Sequence, residues 1–452
     1  MERFDLIIIG AGSGNMLLTP DFDDWKVAIV EDGPFGGTCL NRGCIPSKMY
    51  VYAAEIAHLA ENGPAYGVHS RLDGVDWPAI RDRIFTRIDP IADSGKAYRE
   101  RLEHVTVYPV RGRFVGDHTL QVGSDTITGD TIVVAAGARA SIPEISGLDE
   151  VPFHTSDDIM RINELPDRLV VIGGGFIAAE LGDVFGAFGV DVEFLVRGPR
   201  MLRGEDDDIS DWFTEQYRRR YKVRLGTSIE RVGYREGRLR LRGSDRETSF
   251  ATDADMLLVA TGRIPNSDEL DVGATGVVTD ADGYVVVDEH GRTNVPGIWA
   301  LGDIAYPDQL KHLANATTRM VAHNIAHPSD LRTLTLGAVP HAVFANPQVA
   351  SVGMTERDVV AAGLPYTKVI KPYGTAAYGW AMEDQDSVCK LIAHARSRQL
   401  LGAHIMGPMA ATLIQQLIQG MRFGQTVDEM ATEQFYIHPA PTEVVEQALL
   451  DL

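Results

Sequence analysis

One pattern of apolar and small residues occurs twice along the chain. FDLIIIGAGSGN (4–15) runs from an apolar stretch of strand length into a glycine-rich turn, and RLVVIGGGFIAAE (168–180) does the same. Each is followed by a second apolar run, VAIVE ending at Glu31 and VEFLVR ending at Arg197. Continuous apolar runs of this length, alternating with helix-length segments, predict βαβ units and a parallel sheet buried on both faces. The first crossover, NMLLTPDFDDW, contains Pro20 and leaves few residues for a helix. Three more runs end in small-residue turns: TIVVAAGARA, MLLVATGRIP and GIWALGDIA.

From about Leu336 the texture changes. VFANPQVASVGMT, VCKLIAH and LLGAHIMG read as strands of an antiparallel sheet, and TLIQQLIQGMRF and TEVVEQALLDL as amphipathic helices. The pattern divides the chain into a first nucleotide-type domain over 1–152 and a second over 153–271. A return segment over 272–335 and a C-terminal α+β domain over 336–452 follow.

Composition narrows the partners. At 452 residues, 44% hydrophobic and 23% charged, the chain is an ordinary soluble protein of several domains. A formal charge of −21 repels phosphate backbones and anionic lipid surfaces, so neither nucleic acid nor membrane is an expected partner. The first apolar run is too short to span a bilayer and lacks the flanks of a signal peptide. Three cysteines in so long a chain point to a reducing, cytoplasmic setting, where a disulfide is more often catalytic than structural.

A glycine-rich turn between strand and helix brings a pyrophosphate against a helix N-terminus. The first turn offers Gly10, Gly12 and Gly14, with Asn15 where the fingerprint has its third glycine, and Glu31 ends the next strand, where a carboxylate receives a ribose diol. The second turn offers Gly173 and Gly175, with Ala178 at the close-packing position. There Arg197 replaces the acid, with Arg200 and Arg203 beyond it. Arginines welcome a 2′-phosphate, which favours NADPH over NADH. The plainer readings are a tight turn for the first and a solvated basic loop for the second. Two such sites imply two cofactors, one donating to the other.

Cys39 and Cys44 lie in GGTCLNRGCIPSK (36–48). A structural zinc needs about four ligands, but Cys389 reads as a buried strand residue and the histidines lack finger spacing, so no metal is expected. Residues five apart on an ideal helix have Cα atoms about 8.6 Å apart, whereas a disulfide wants less than about 7 Å. The two cysteines can therefore pair only at a distorted entry to a helix beginning near Cys44. Gly36, Gly37 and Gly43 permit such a bend.

GGTCLNRGCIPSK, both glycine turns, LLVATGRIPN, IWALGDIA and HPAPTEVVEQALL together resemble the pyridine nucleotide–disulfide oxidoreductases over nearly the whole chain. The resemblance implies an α/β fold with two Rossmann-like domains, for FAD and NADPH, and a C-terminal α+β dimerisation domain. It implies a redox disulfide in which Cys44 faces the flavin and Cys39 the substrate. Lys48 would lie near flavin N5 with Glu180 as its partner, Asp303 would bind the ribitol, and Thr38, Gly137 and Ile177 would join the cofactor contacts. His438, oriented by Glu443, would serve the active site of the other subunit of a homodimer.

Within the family, GAGSGN, KMYVYAAE, YGWAMED, GAHIMG and the short first crossover resemble the members that act on mycothione, the disulfide of mycothiol. The helix segment MYVYAAEIAHLA carries Tyr50 and Tyr52 and no Lys or Arg, which suits a sugar-bearing thiol; Arg87, Lys96 and Arg99 are the cations able to fold back toward it. The alternatives are a glutathione-disulfide reductase, an NAD-dependent dihydrolipoamide dehydrogenase, and a transhydrogenase-like flavoprotein that does not use thiols. A mercuric reductase would carry a further C-terminal cysteine pair. Arg42 inside the redox loop, Ala136 in the first ATG-like turn and the interior of HPAPTE depart from the family pattern.

Overall fold

A computed structural model describes residues 1–452 apart from Glu247, Thr335 and Leu336. The expected boundary at 335 and 336 lies outside the described residues. In chain order the first elements are β1 (Glu2–Ile9), β2 (Val27–Val30), α1 (Gly37–Asn41), α2 (Cys44–Asn62), α3 (Trp77–Glu100), β3 (Val105–Tyr108), β4 (Gly112–Gly116), β5 (Thr119–Val122) and β6 (Asp125–Val134). They form a sheet of order β3-β2-β1-β6-β5-β4, and the strand Ile298–Ala300 returns to pair with β6. β1 is parallel to both neighbours, with Ile9 opposite Val30 and Val134, and Ala300 also lies opposite Val134. Four strands thus end level, and the residues that follow them (Gly10, Glu31, Ala135 and Leu301–Asp303) gather at one edge. In parallel sheets that carboxyl edge is where ligands bind.

A second parallel sheet repeats the arrangement. Arg168–Ile172 lies between Asp191–Val196 and Met256–Val259, with Ile172 opposite Leu195 and Val259. The helices α4 (Phe176–Ala187) and α5 (Asp207–Arg220) cover it. The two halves match in atomic detail. A Cβ on Gly10 would lie 2.3 Å from the Ala135 carbonyl oxygen, and one on Gly173 would lie 2.2 Å from that of Ala260. Both glycines have positive φ, so each turn is pressed against the next strand at a point where only glycine fits.

The halves differ in one respect. α4 follows the second turn, but the first crossover holds only single 3₁₀ turns at Gly14–Met16 and Pro20–Phe22. The expected helix N-terminus at the first glycine turn is therefore absent, since Pro20 and the short segment before β2 leave no room for one. Arg99 of α3 pins this crossover. Its Nε donates to Asn15 Oδ1 at 2.8 Å and its Nη2 to the Asn15 carbonyl at 2.6 Å. This gives Asn15 its purpose, and Arg99 is committed here and not to a substrate.

An antiparallel sheet over 228–254, not foreseen above, extends the second half. The C-terminal part is a five-stranded antiparallel sheet containing Val349–Gly353, Leu400–Met406 and Val388–His394 in adjacent positions. The helices Gln415–Phe423 and Thr442–Leu450 pack their apolar faces on it. Cys389 sits inside this core, fully buried, and burial pushes its thiol up to about 12.

Lys390, only 1% exposed, locks the C-terminal sheet to the second half of the molecule. Its Nζ lies 2.7 Å from Asp206, 2.6 Å from Asp208 and 2.7 Å from Glu356. Burial alone would raise the Glu356 carboxyl, but hydrogen bonds from Lys368, Lys390 and Tyr366 outweigh this and hold it at about 2 against an ordinary 4.5. Removing one partner of a buried ion group costs about 3–5 kcal/mol. Lys390→Met should lower urea-unfolding stability by about that amount at neutral pH. Because the folded value of Glu356 is depressed, its contribution is complete above 4.5 and lost as pH falls toward 2. The penalty of Lys390→Met should shrink over the same interval.

Candidate active site

Both glycine turns open into one cavity of ≈ 2330 Å³ that passes between the two sheets. Gly10, Gly12, Glu31, Thr38, Gly137 and Asp303 line it on one side, and Gly173, Gly175, Ile177, Arg197 and Arg203 on the other; Cys39, Cys44, Lys48 and Glu180 lie on its wall as well. Gly14 packs under the turn instead: a Cβ there would lie 2.8 Å from that of Ala135.

The cysteine loop has the bent geometry that pairing requires. Cys39 lies in the five-residue α1 and Cys44 opens the 19-residue α2. Between them Gly43 turns so tightly that a Cβ on it would meet the Thr38 carbonyl oxygen at 2.9 Å. Both cysteines are free thiols, and each acts on the ionisation of the other. The influence of Cys39, together with the nearby Lys48 ammonium, outweighs burial and brings Cys44 down to about 7, while Cys39 is driven well up by Cys44 and by burial. A position at the start of a long helix favours the thiolate too.

One turn into α2, Lys48 Nζ lies 2.5 Å from Glu180 Oε2, and the carboxylate is 6% exposed. Glu180 Oε1 accepts from the Phe344 backbone N–H at 2.9 Å, and the Phe344 ring lies 4.6 Å from Lys48 Nζ. Phe344 carries no motif, so only the folded chain brings it here. Ile414, Gln415 and Ile418 reach the cavity from the C-terminal part in the same unannounced way.

The residues fit the two cofactors the fold implies. Glu31 Oε2 accepts from Ala11 N–H at 2.7 Å and Oε1 from Gly33 N–H at 2.8 Å, which fixes the carboxylate at the strand tip with further acceptor capacity for a diol. Burial raises the Asp303 carboxyl against the pull of Arg263 and Lys311, so it gains from hydroxyl donors. In the second turn, Arg200 is held by Asp207 at 3.1 Å and Asp211 at 3.3 Å, while Arg197 and Arg203 line the cavity. Arg42, puzzling in sequence, also lines the cavity, with Nη1 3.7 Å from Asp157.

Two expectations change. Tyr50 is fully buried: its hydroxyl donates to the Met160 carbonyl at 2.6 Å and its ring stacks on Trp77 at 4.8 Å. It is a core residue and contacts no substrate; Tyr52, 62% exposed, faces the cavity. Arg99, as noted, is bound to Asn15.

His438 stands apart from the cavity of its own subunit. Its Nδ1 lies 2.6 Å from Glu443 Oε1, with the imidazole 72% and the carboxylate 12% exposed. The flanking Phe435 and Ile437 are exposed apolar side chains at 105% and 76%. The Glu443 contact assigns the proton to Nδ1 and leaves Nε2 outward as the acceptor.

The thiol chemistry is directly testable. In reduced protein, iodoacetamide alkylation at Cys44, followed by peptide mass, should rise with a midpoint near pH 7. Cys39→Ala should move that midpoint upward by removing the group that favours charge on Cys44, and Lys48→Met should move it upward by removing the cation.

The pyridine nucleotide-disulphide oxidoreductase family matches residues 4–323, and its dimerisation domain matches residues 339–449. The chain is 46% identical to mycothione reductase of Mycobacterium tuberculosis, with 100% of each chain covered. It is 32% identical to glutathione reductase of Burkholderia cepacia, with 97% of each covered. Among solved structures, the Cu(II) complex of the HOCl-induced flavoprotein disulfide reductase RclA of Escherichia coli is similar at a TM-score of 0.88 and 26% identity, with 100% of both chains covered. With its paired thiols set between two matched glycine turns, the chain belongs to the pyridine nucleotide-disulphide oxidoreductases.

Proposed function

We propose that the protein is an NADPH-dependent flavoprotein disulfide reductase that reduces mycothione to mycothiol in the cytoplasm, working as a homodimer. The observation that carries this reading is the pair Cys39 and Cys44, placed across a bent helix entry on the wall of a cavity that also holds both glycine turns. The chain divides into an FAD-binding domain (1–152), an NADPH-binding domain (153–271), a return segment (272–335) and a dimerisation domain (336–452). Gly10, Gly12, Glu31, Thr38, Gly137 and Asp303 would hold FAD at the first turn, with Gly14 packed beneath it, and Gly173, Gly175, Ile177, Arg197 and Arg203 would hold NADPH at the second.

Bound FAD supplies two-electron transfer between the nicotinamide and the Cys39–Cys44 disulfide. The chain's own residues do the rest. Lys48 places a cation beside that exchange, and Glu180 balances the cation when it is not needed. Once reduced, Cys44 keeps the charge and Cys39 the proton. The partner subunit's His438 accepts the Cys39 proton at Nε2, and Cys39 Sγ attacks one sulfur of the substrate disulfide. A Cys39–substrate disulfide forms, the first thiolate leaves, and it receives the proton from the same imidazole. Cys44 then attacks Cys39 Sγ, which closes the Cys39–Cys44 bond and releases the second thiolate, which takes its proton from solvent. Glu443 holds the imidazolium in place throughout.

The exposure of His438, between exposed Phe435 and Ile437, fits a residue completed by a second subunit. The 46% identity to a mycothione reductase, against 32% to a glutathione reductase, favours mycothione as substrate. The outer face of α2 exposes Tyr52, Ile56 and Leu59 and carries no cation there, while Arg42, Arg83 and Arg87 reach the same cavity from other segments.

Rates with NADPH should be at least about tenfold higher for mycothione than for glutathione disulfide or lipoamide, the size of about one lost polar contact. A preference for lipoamide with NADH would sink the assignment. Subunit sharing has its own test. Mixed dimers of Cys39→Ser and His438→Gln chains should recover one working site, about half the wild-type rate per chain pair, while each parent dimer is inactive. Verified mixed dimers without activity would contradict a shared site.

A further inference from the structure

Glu205 and His341 meet in the cavity wall, and the chemistry above uses neither. His341 Nε2 lies 2.7 Å from Glu205 Oε1, and Glu205 is only 6% exposed. Glu205 Oε2 accepts from Ser351 Oγ at 2.5 Å. Ser351 Oγ lies 3.1 Å from His404 Nδ1, and His404 Nε2 lies 3.1 Å from the Met354 carbonyl oxygen. This is a chain of four polar side chains running from the cavity into the C-terminal core.

Counting protons shows which contact is firm. The Met354 carbonyl can only accept, so His404 keeps a proton on Nε2. Burial holds His404 below its ordinary value, so it is neutral and presents a lone pair at Nδ1. Ser351 has one hydroxyl proton for two acceptors, Glu205 and His404, and satisfies one at a time. The dependable donor to Glu205 is therefore His341. Facing these groups are Asp308 near His341, and Asp206, Asp358 and Lys390 near His404, with Lys390 itself bound to Asp206, Asp208 and Glu356. Burial alone would lower His341, but the Glu205 hydrogen bond and charge outweigh it and hold the imidazole above its ordinary 6.5; Glu205 is held low in return.

The position of the pair gives it a task. Glu205 ends the loop that carries Arg197 and Arg203, whose Leu202 N–H also donates to the Gly174 carbonyl at 2.7 Å. His341 opens the strand His341–Val343, immediately before the Phe344 N–H that braces Glu180. The two residues join the arginine loop to the strand behind the thiol site.

We propose that the His341–Glu205 pair is a proton-dependent clasp that positions the arginine loop for the 2′-phosphate of the nicotinamide nucleotide. It rests on the reading of the second turn as the NADPH site. In this proposal the pair acts on the nucleotide through the loop that carries Arg197 and Arg203. The clasp is an ion pair while His341 is protonated, and it weakens to a neutral hydrogen bond as pH rises through the raised value of His341.

The test is the dissociation constant of NADP⁺, with NAD⁺ in parallel, read from the flavin absorbance change of oxidised holoenzyme. It is measured for wild type, Glu205→Gln, His341→Gln and Arg203→Ala from about pH 6.5 to about pH 9, a span in which the 2′-phosphate stays largely ionised. At the acid end each clasp variant should weaken NADP⁺ about tenfold and NAD⁺ less than about twofold. The variant-to-wild-type ratio for NADP⁺ should fall toward one at the alkaline end. A ratio that stays constant across the range, or an equal loss for both nucleotides, overturns the clasp. So does a wild-type NADP⁺ preference over NAD⁺ that fails to decline toward alkaline pH, a readout that needs no variant to fold. Arg203→Ala probes the reading beneath. If it leaves the NADP⁺ preference intact, the arginine loop does not hold the 2′-phosphate, and the failure lies in the nucleotide assignment.

Discussion

The ion pair between Lys48 and Glu180 is the contact on which the arrangement of the site depends. Lys48 belongs to the helix that starts at Cys44, Glu180 to the helix after the second glycine turn, and Phe344, which braces Glu180, to the connection between the first two strands of the C-terminal sheet. One carboxylate, 6% exposed, therefore fixes the distances among three parts of the chain. Leaving either charge buried without its partner would be costly, which makes the geometry close to all-or-none. It also aims a cation at the cavity wall beside Cys44, where the thiol already sits at a helix start. The asymmetry of the two thiols comes first from their effect on each other, and this cation adds to it, so that charge collects at Cys44 and the proton at Cys39.

That asymmetry divides the labour between two otherwise identical side chains. A thiolate next to a fixed cation is stable enough to wait, and a neutral thiol on the short neighbouring helix is free to be activated by an outside base. In the proposed cycle that base is the exposed His438–Glu443 pair, whose carboxylate assigns the imidazole proton. The acidic surplus of the whole chain, −21, leaves the second site reliant on local arginines for a phosphate-bearing ligand. Loop placement then matters more than overall field.

Much of this was legible in the sequence where the constraint is local. Gly10 and Gly173 each sit where a Cβ would strike a neighbouring carbonyl, so the glycines had to appear at matching places in both halves. The cysteine spacing required a bent helix entry, and the chain breaks between Asn41 and Cys44. What was not legible depends on partners far along the chain. Arg99 reads as a free cation until Asn15, 84 residues away, claims it. Tyr50 was misjudged although the signal existed: Tyr50, Ala54 and Ala57 are all buried, an i, i+4, i+7 face that marks it as core. The sheet over 228–254 was missed despite the alternation in RLRLRG, where Leu239 and Leu241 turn inward. Phe344 left no trace at all, because it acts through its backbone N–H and any residue but proline offers one.

The central claim is that reducing equivalents from NADPH come to rest on Cys39 and Cys44. Anaerobic addition of one equivalent of NADPH per subunit to oxidised holoenzyme, followed by alkylation and peptide mass, measures this directly. The account predicts two newly alkylated thiols per subunit, Cys39 and Cys44, with Cys389 unchanged. Consumption of NADPH with the two cysteines still linked and unlabelled would contradict it.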